Sequence, residues 1–255
     1  DARGAVIKER TRGKVLRKIL HDAAGRVVRE TVSVDASEGD TDYAAAGTLD
    51  QDTVLSQTHT VHDKAGGAEL VSSFQRRPGQ SALGALFNPS TCQVLIPSHA
   101  SHTGNWYDDF HRSVVGVRYG DNAGTPICSR PGGLPPASSS WSPPRLVSRT
   151  IFDVAGQVEE SVDSNGVRTR LEYRDDGSLA RRVENFEDGV FSSQSPTQDR
   201  ITEHETHYQH DIGDVTYPKV EIVRRKNRAW KGSTYLDQET AYGYGVVCGT
   251  DDGQS

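Results

Sequence analysis

One short pattern recurs along this chain and restricts what it can fold into. The pattern is an aromatic residue or His, then Asp, two residues, Gly, one residue, and an apolar residue. It reads His21-Asp22-Ala23-Ala24-Gly25-Arg26-Val27, then His62-Asp63-Lys64-Ala65-Gly66-Gly67-Ala68, then Phe152-Asp153-Val154-Ala155-Gly156-Gln157-Val158. A degenerate copy runs from Tyr173 to Leu179 with Arg174 at the Asp position and Gly177 at the Gly position. Another runs from Tyr107 through Asp108 to Ser113, with His111 in place of the Gly, and Tyr208 to Val215 is a further copy lengthened by one residue. An Asp opening a turn accepts hydrogen bonds from backbone N–H groups just ahead of it, and a Gly at the fourth position takes the left-handed conformation that ends such a turn. A type I turn closed by a left-handed Gly is a standard connection between antiparallel strands. Asp22, Gly25, Asp63, Gly66, Asp108, Asp153, Gly156 and Gly177 are therefore expected at hairpin turns.

The spacing makes this a repeat. Successive Asp positions lie 41, 45 and 45 residues apart from Asp22 to Asp153, and Arg174 follows 21 residues later, so the steps are near one or two multiples of one unit. After Gly156 the residues Val158, Glu160 and Val162 share a face, and after Gly177 Leu179, Arg181 and Val183 do, as in half-buried strands. Incoming segments Val54 to Val61, Leu146 to Ile151 and Ile201 to Thr206 are rich in β-branched residues. The best helical stretch, Tyr43 to Leu49, is short. The fold class expected is all-β, built of antiparallel hairpin repeats as a single repeat region over residues 1–255, clearest over 20–220. Pro78 to Asn105 and Gly120 to Pro144 hold most of the Gly, Pro and Ser and read as long irregular excursions, because the motif resumes after each.

Hydrophobic residues make up 34% and charged residues 25%, a balance that suits strands with one wet face. The net charge of −6 gives no electrostatic reason to expect a nucleic-acid partner, and no apolar run is long enough for a membrane helix. The chain begins at Asp1 and has no Met, as expected for part of a longer protein. Cys92 and Cys128 lie in the excursions and can pair if the protein is exported, while unpaired buried thiols are an equal alternative; Cys248 is the third cysteine.

The Tyr/Phe/His-Asp-x-x-Gly-Arg-Val unit and its pitch of roughly 21 residues resemble the YD repeat of Rhs proteins, of the B and C components of Tc toxins, of wall-associated bacterial proteins and of teneurins. The resemblance runs from about Leu20 to Val220. It implies a β-sheet spiralling into a hollow, solenoid-like shell that is secreted or at the cell surface, with a C-terminal effector or the remainder of the same shell as partner.

Other constellations have plainer readings. His-Asp at 21–22 and 62–63 suggests a metal doublet, but Phe152 holds the His place in another copy and cannot ligate. His204, His207 and His210 alternate across a strand, an awkward arrangement for zinc. His99-Ala100-Ser101-His102 reads as a polar loop, and neither Ser101, Ser138 nor Ser139 has a base and an orienting acid at recognisable spacing. No catalytic, cofactor or metal residues are expected, and an enzyme is the least favoured class. Trp106, Tyr107 and Trp230 are candidate stacking platforms for a sugar ring, with packing between repeats as the alternative. Two classes remain: a structural shell segment, and a surface module binding carbohydrate or protein through the excursions.

Overall fold

The computed structural model describes residues 6–10, 15–34, 47–133, 135, 140–141, 144–184, 200–210, 216–231 and 234–243. Seventeen strands are described, and a 3-10 turn lies at Asn122–Gly124. The all-β, antiparallel expectation is met. The chain divides into two units after Arg149.

In the first unit the strands are β1 (Lys8–Arg10), β2 (Val15–His21), β3 (Val27–Val34), β4 (Thr53–His62), β5 (Ala68–Arg76), β6 (Phe87–Asn88), β7 (Gln93–Val94), β8 (Ser98–Tyr107), β9 (Ser113–Gly120), β10 (Ser140–Trp141) and β11 (Pro144–Phe152), which crosses the boundary. The sheet order is β1-β2-β3-β4-β5-β8-β9-β11, with β6 and β7 paired separately. Neighbouring strands in this order pair antiparallel. Ser98 to Asn105 belongs to this sheet, so the first excursion ends at Pro97 and not at Asn105. Ser, His and Gly on alternate positions of β8 hide its period of two, because the face they fill is polar. The helical stretch at Tyr43–Leu49 falls mostly outside the described residues, and Leu49 itself is buried in a turn.

The two faces of this sheet differ. Register places Leu16, Ser33 and Val54 in one row, Lys18, Thr31, Gln57 and Phe74 in the next, and Leu70, Gly104, Val117 and Val147 in another. These side chains are nearly all buried, because the excursions fold back over them. The opposite face carries Arg17, Glu30, Thr58 and Ser73, with Arg17 Nε donating to Glu30 at 2.8 Å and the Thr58 and Ser73 hydroxyls 3.2 Å apart.

Three segments make the cover. Residues 47–52 seat Leu49 and bring Asp52 to within 2.9 Å of Lys18 Nζ, both side chains being almost wholly buried, and Lys18 also donates to the Thr48 carbonyl. Residues 84–96 place Leu86, Phe87 and Ile96 against Val54 and Phe74, and the Phe74 and Phe87 rings stack at 4.4 Å. Gln57 pins this segment: its Nε2 donates to the Phe87 carbonyl and its Oε1 accepts from the N–H groups of Leu86 and Phe87. Residues 127–133 and Pro135 hold carbonyls of Ile127, Gly133 and Pro135 against Ser72, Trp106 and Arg149. A Cys92–Cys128 disulfide with Cα atoms 5.8 Å apart ties the second cover to the third. Closing a loop of 36 residues is worth roughly 4 kcal/mol on the chain-entropy account.

In the second unit β12 (Val158–Val162), β13 (Arg168–Tyr173), β14 (Leu179–Glu184), β15 (Arg200–His210), β16 (Thr216–Lys231) and β17 (Thr234–Gly243) pair in sequence order, all antiparallel. Val183 is its one fully buried large apolar side chain among the described residues. Cross-strand pairs stand out here: Arg168 grips Glu160 with two hydrogen bonds, and Arg181 grips Glu172.

Candidate functional site

The repeated motif forms one hairpin turn, made the same way each time. In the first unit the Asp22 N–H donates to the Arg26 carbonyl and the Gly25 N–H to the Asp22 carbonyl, with matching pairs at Asp63–Gly67, Gly66–Asp63, Asp108–Arg112 and His111–Asp108. The carboxylate adds its own support: Asp22 Oδ1 accepts the N–H groups of Ala24 and Arg26, and Asp108 Oδ1 those of Phe110 and Arg112. Gly25 and Gly66 have φ of 83° and 102°, and His111 takes 63° in the same place. Each turn ends on a register shift just before the Asp, the bulge expected of a left-handed residue.

These contacts set the acidity of the turn. Asp22 is held below the usual carboxylate range chiefly by the Arg26 N–H, with the Arg26 guanidinium adding to it. Asp108 is lowered first by the Arg112 guanidinium, against burial. For Asp63 burial acts upward but is outweighed by the N–H groups of Gly67 and Gly66 and by His111, whose Nδ1 is 3.7 Å away. The second unit repeats the turn at Asp153–Gln157, with Gly156 at φ 86°, and at Arg174–Ser178, with Gly177 at 79°. A further copy, Asp163-Ser164-Asn165-Gly166-Val167, closes the same bonds with Gly166 at φ 86°. Sequence reasoning passed over it because Val162 replaces the aromatic and the spacing from Asp153 is half a repeat. Asp-x-x-Gly alone would have found it. The copy at Tyr208–Val215 lies partly outside the described residues.

In three copies the residue before the first turn position does more than pack. His62 Nε2 lies 2.9 Å from the Val27 carbonyl, Tyr107 Oη donates to the Ala68 carbonyl at 3.1 Å, and Tyr173 Oη to the Val158 carbonyl at 3.0 Å. Each acceptor is the residue two past the Gly position of the preceding hairpin that turns at the same end of the strands. The residue after the Gly can reach forward: Arg26 Nη1 donates to the Asp63 carbonyl and Gln157 Nε2 to the Gly177 carbonyl. Gly67 stands at that position because a Cβ there would meet His111 and Tyr107 within 3 Å. Neighbouring hairpins are thus locked in both directions.

Between the second and third turns of the first unit lies an open depression of about 600 Å³, lined by His62, Asp63, Glu69, Tyr107, His111 and Arg130 among others. Most of its charge is already paired: Arg130 with Glu69 at 3.0 Å, and Asp108 with Arg112. Tyr107 is stacked on His111 with ring centres 4.8 Å apart, and burial raises its phenol pKa. Trp106, a candidate platform, is instead in the core: it is 5% exposed, packs with Val115, Val117 and Val147, donates to the Gly133 carbonyl and carries Arg130 over its ring. No free ring face remains for a sugar. Trp230 stands on β16 opposite Tyr235, and its side chain lies outside the described residues. His99 to His102 lies on β8, not in a loop, and Ser138 and Ser139 lie outside the described residues. His204, His207 and His210 lie on β15, and among the described residues no group of three His, Cys, Asp or Glu is arranged to hold a metal. No described helix is long and apolar enough to cross a membrane.

No family model matches the chain, and no curated protein matches it. Among solved structures it is similar to the crystal structure of TcdB2-TccC3-TEV at 11% identity and a TM-score of 0.30, with 96% of this chain and 15% of that chain covered. It is similar to that of TcdB2-TccC3-Cdc42 at 12% identity, with the same TM-score and the same coverage. The chain spans about 15% of the length of these structures.

Proposed function

We propose that this chain is a structural segment of a YD-repeat (Rhs-type) shell, exported from the cell, whose partner is the remainder of the same shell or a C-terminal effector that the shell encloses. The observation that carries the reading is the two-way locking of hairpins: His62, Tyr107 and Tyr173 each bind a carbonyl of the preceding hairpin. Such a unit is completed only by its neighbours, which is the logic of a repeat array. The Cys92–Cys128 bridge supports an oxidising compartment. In a shell segment the motif residues are structural and the chain carries no catalytic role.

The second reading is a surface module that binds carbohydrate or protein, and the depression beside Tyr107 and His111 favours it. Limited proteolysis of the longest natural form of the protein separates the two. Replacing this segment by a flexible linker of equal length should make the rest of a shell protein sensitive to protease. Unchanged digestion of the remainder would overturn the shell reading and leave the binding module.

A further inference from the structure

One row on the covered face of the first unit is unlike the others. Register aligns Arg29, His59, Ser72 and His102 across β3, β4, β5 and β8. Phe74 beside them is wholly buried, as is His102, while His59 is half-buried with its ring edge-on to Phe87 at 6.2 Å.

The hydrogen bonds fix the state of His102. Ser72 Oγ donates to the Ile127 carbonyl at 3.2 Å, so its proton is taken. His102 Nδ1, 2.8 Å from that oxygen, must then be the donor to it. This leaves Nε2 as the unprotonated nitrogen, and it is buried with no partner among the described residues. A second proton would create a buried N–H facing no acceptor, in a ring that meets Phe74 edge to face.

We propose that His59 and His102 form an acid-released latch: charging them lifts the two disulfide-tied excursions, residues 77–97 and 121–133, off the covered face while the hairpin turns stay closed. The excursions rest directly on this row, Phe87 over His59 and the Ile127 carbonyl through Ser72 over His102. The Cys92–Cys128 bridge keeps them together when they lift, so the opening is reversible.

The charged groups facing the row oppose an added proton more than they welcome it. Arg29 of β3 is a fixed positive charge in the row and donates to the Gly47 carbonyl. Asp52 in the first cover is held by Lys18 of β2. Asp121, at the start of the second excursion, is the carboxylate that acts on His102. Burial holds both imidazoles below their ordinary 6.5; Arg29 lowers His59 further, and Asp121 partly offsets the effect at His102. The sign follows from linkage. The open form binds protons that the closed form refuses, so the closed form is at full strength above about pH 6.5 and loses ground as pH falls below it. The turn carboxylates act elsewhere. Asp22, Asp63 and Asp108 lie below their ordinary 3.8, so their support is present above that value and is lost only as pH falls through their folded values.

Hydrogen exchange of the full chain with its disulfide intact, corrected for intrinsic rates, tests this at about pH 7.5 and about pH 5, on either side of the histidine range. Protection at the Leu86, Phe87 and Leu95 amides of the cover is the readout, and it should fall about tenfold or more at the lower pH, while Gly25 and Gly66 keep theirs. His59→Gln with His102→Gln should abolish the pH response. Asp121→Asn, in an exposed turn where Asn can still cap Ala123, should deepen the loss about threefold, because the one carboxylate favouring charged His102 is gone. The proposal is overturned if protection in the cover does not change with pH, if the turns open together with it, if the double variant folds and responds as the parent does, or if Asp121→Asn matches the parent.

Discussion

The two units use the same hairpin but hold their strands differently. In the first, three segments fold back over one face, and the buried set mixes Leu16, Val54, Phe74 and Val117 with Lys18, Asp52, Gln57, Ser72 and His102. In the second, short turns at Asp153, Asp163 and Arg174 follow one another, and Arg–Glu pairs across strands are prominent. The motif fixes where the chain reverses and how one hairpin docks on the next. It does not decide whether a face is covered. The cover is an addition made by the excursions, and it is attached through polar groups whose partners are carbonyls and N–H groups of irregular backbone. Breaking the cover and breaking the ladder should therefore have different signatures.

The largest effect is expected in the cover. Asp52→Ala leaves the Lys18 ammonium buried without its carboxylate, and removal of one partner from a buried pair costs about 3–5 kcal/mol. Replacing both, Lys18→Met with Asp52→Leu, should recover most of that loss. Urea unfolding followed by Trp fluorescence measures both, and Trp106, packed in the first unit, reports on it. If Asp52→Ala costs less than about 1 kcal/mol, the attachment of residues 47–52 to the sheet does not depend on this pair.

Next in size is the turn. Gly25→Val and Gly156→Val force a β-branched residue to φ near 83° and 86°, at a cost of about 1–3 kcal/mol each. The loss should be similar at the two sites, since the ladder is common to both units. Unequal losses, measured as melting shifts of the single variants, would mean that the turns are supported differently.

The turns were legible because their chemistry is local: an Asp and a Gly at fixed offset determine the hairpin without help from the rest of the chain. The missed copy at Asp163 shows that the aromatic was weighted too heavily. The cover was not legible, and the reason is physical. A buried Gln57 or Ser72 looks like a solvent-facing residue until the segment that satisfies it is in place, and that segment is up to 55 residues away. The same blindness turned β8 into a loop. Trp106 was open to two readings for a related reason, since a Trp at a strand end is equally suited to stack on a sugar or to fill a core, and the Gly133 carbonyl that decides it lies in the excursion.

The smallest effect tests the finest feature of the ladder, the bond from the residue before Asp to the preceding hairpin. If the ring at this place only packs, Phe should serve as well as Tyr or His. If it also donates, the two must differ. Tyr173→Phe removes the bond to the Val158 carbonyl and nothing else, and His62→Phe removes the contact of Nε2 with the Val27 carbonyl. One such bond is worth about 0.5–1.5 kcal/mol net. His62→Tyr should cost almost nothing, because Tyr107 and Tyr173 already make the equivalent bond from the same position. The expected order of stability is therefore parent, His62→Tyr, then His62→Phe, read from chemical denaturation at neutral pH. Phe152 holds this position in one natural copy, so the array tolerates a missing donor at single places; what it should not tolerate is the loss of several, and His62→Phe with Tyr107→Phe and Tyr173→Phe should sum to about 2–4 kcal/mol if the hairpins are locked one by one. A triple variant no weaker than the worst single one would mean that the rings lock the ladder by packing alone.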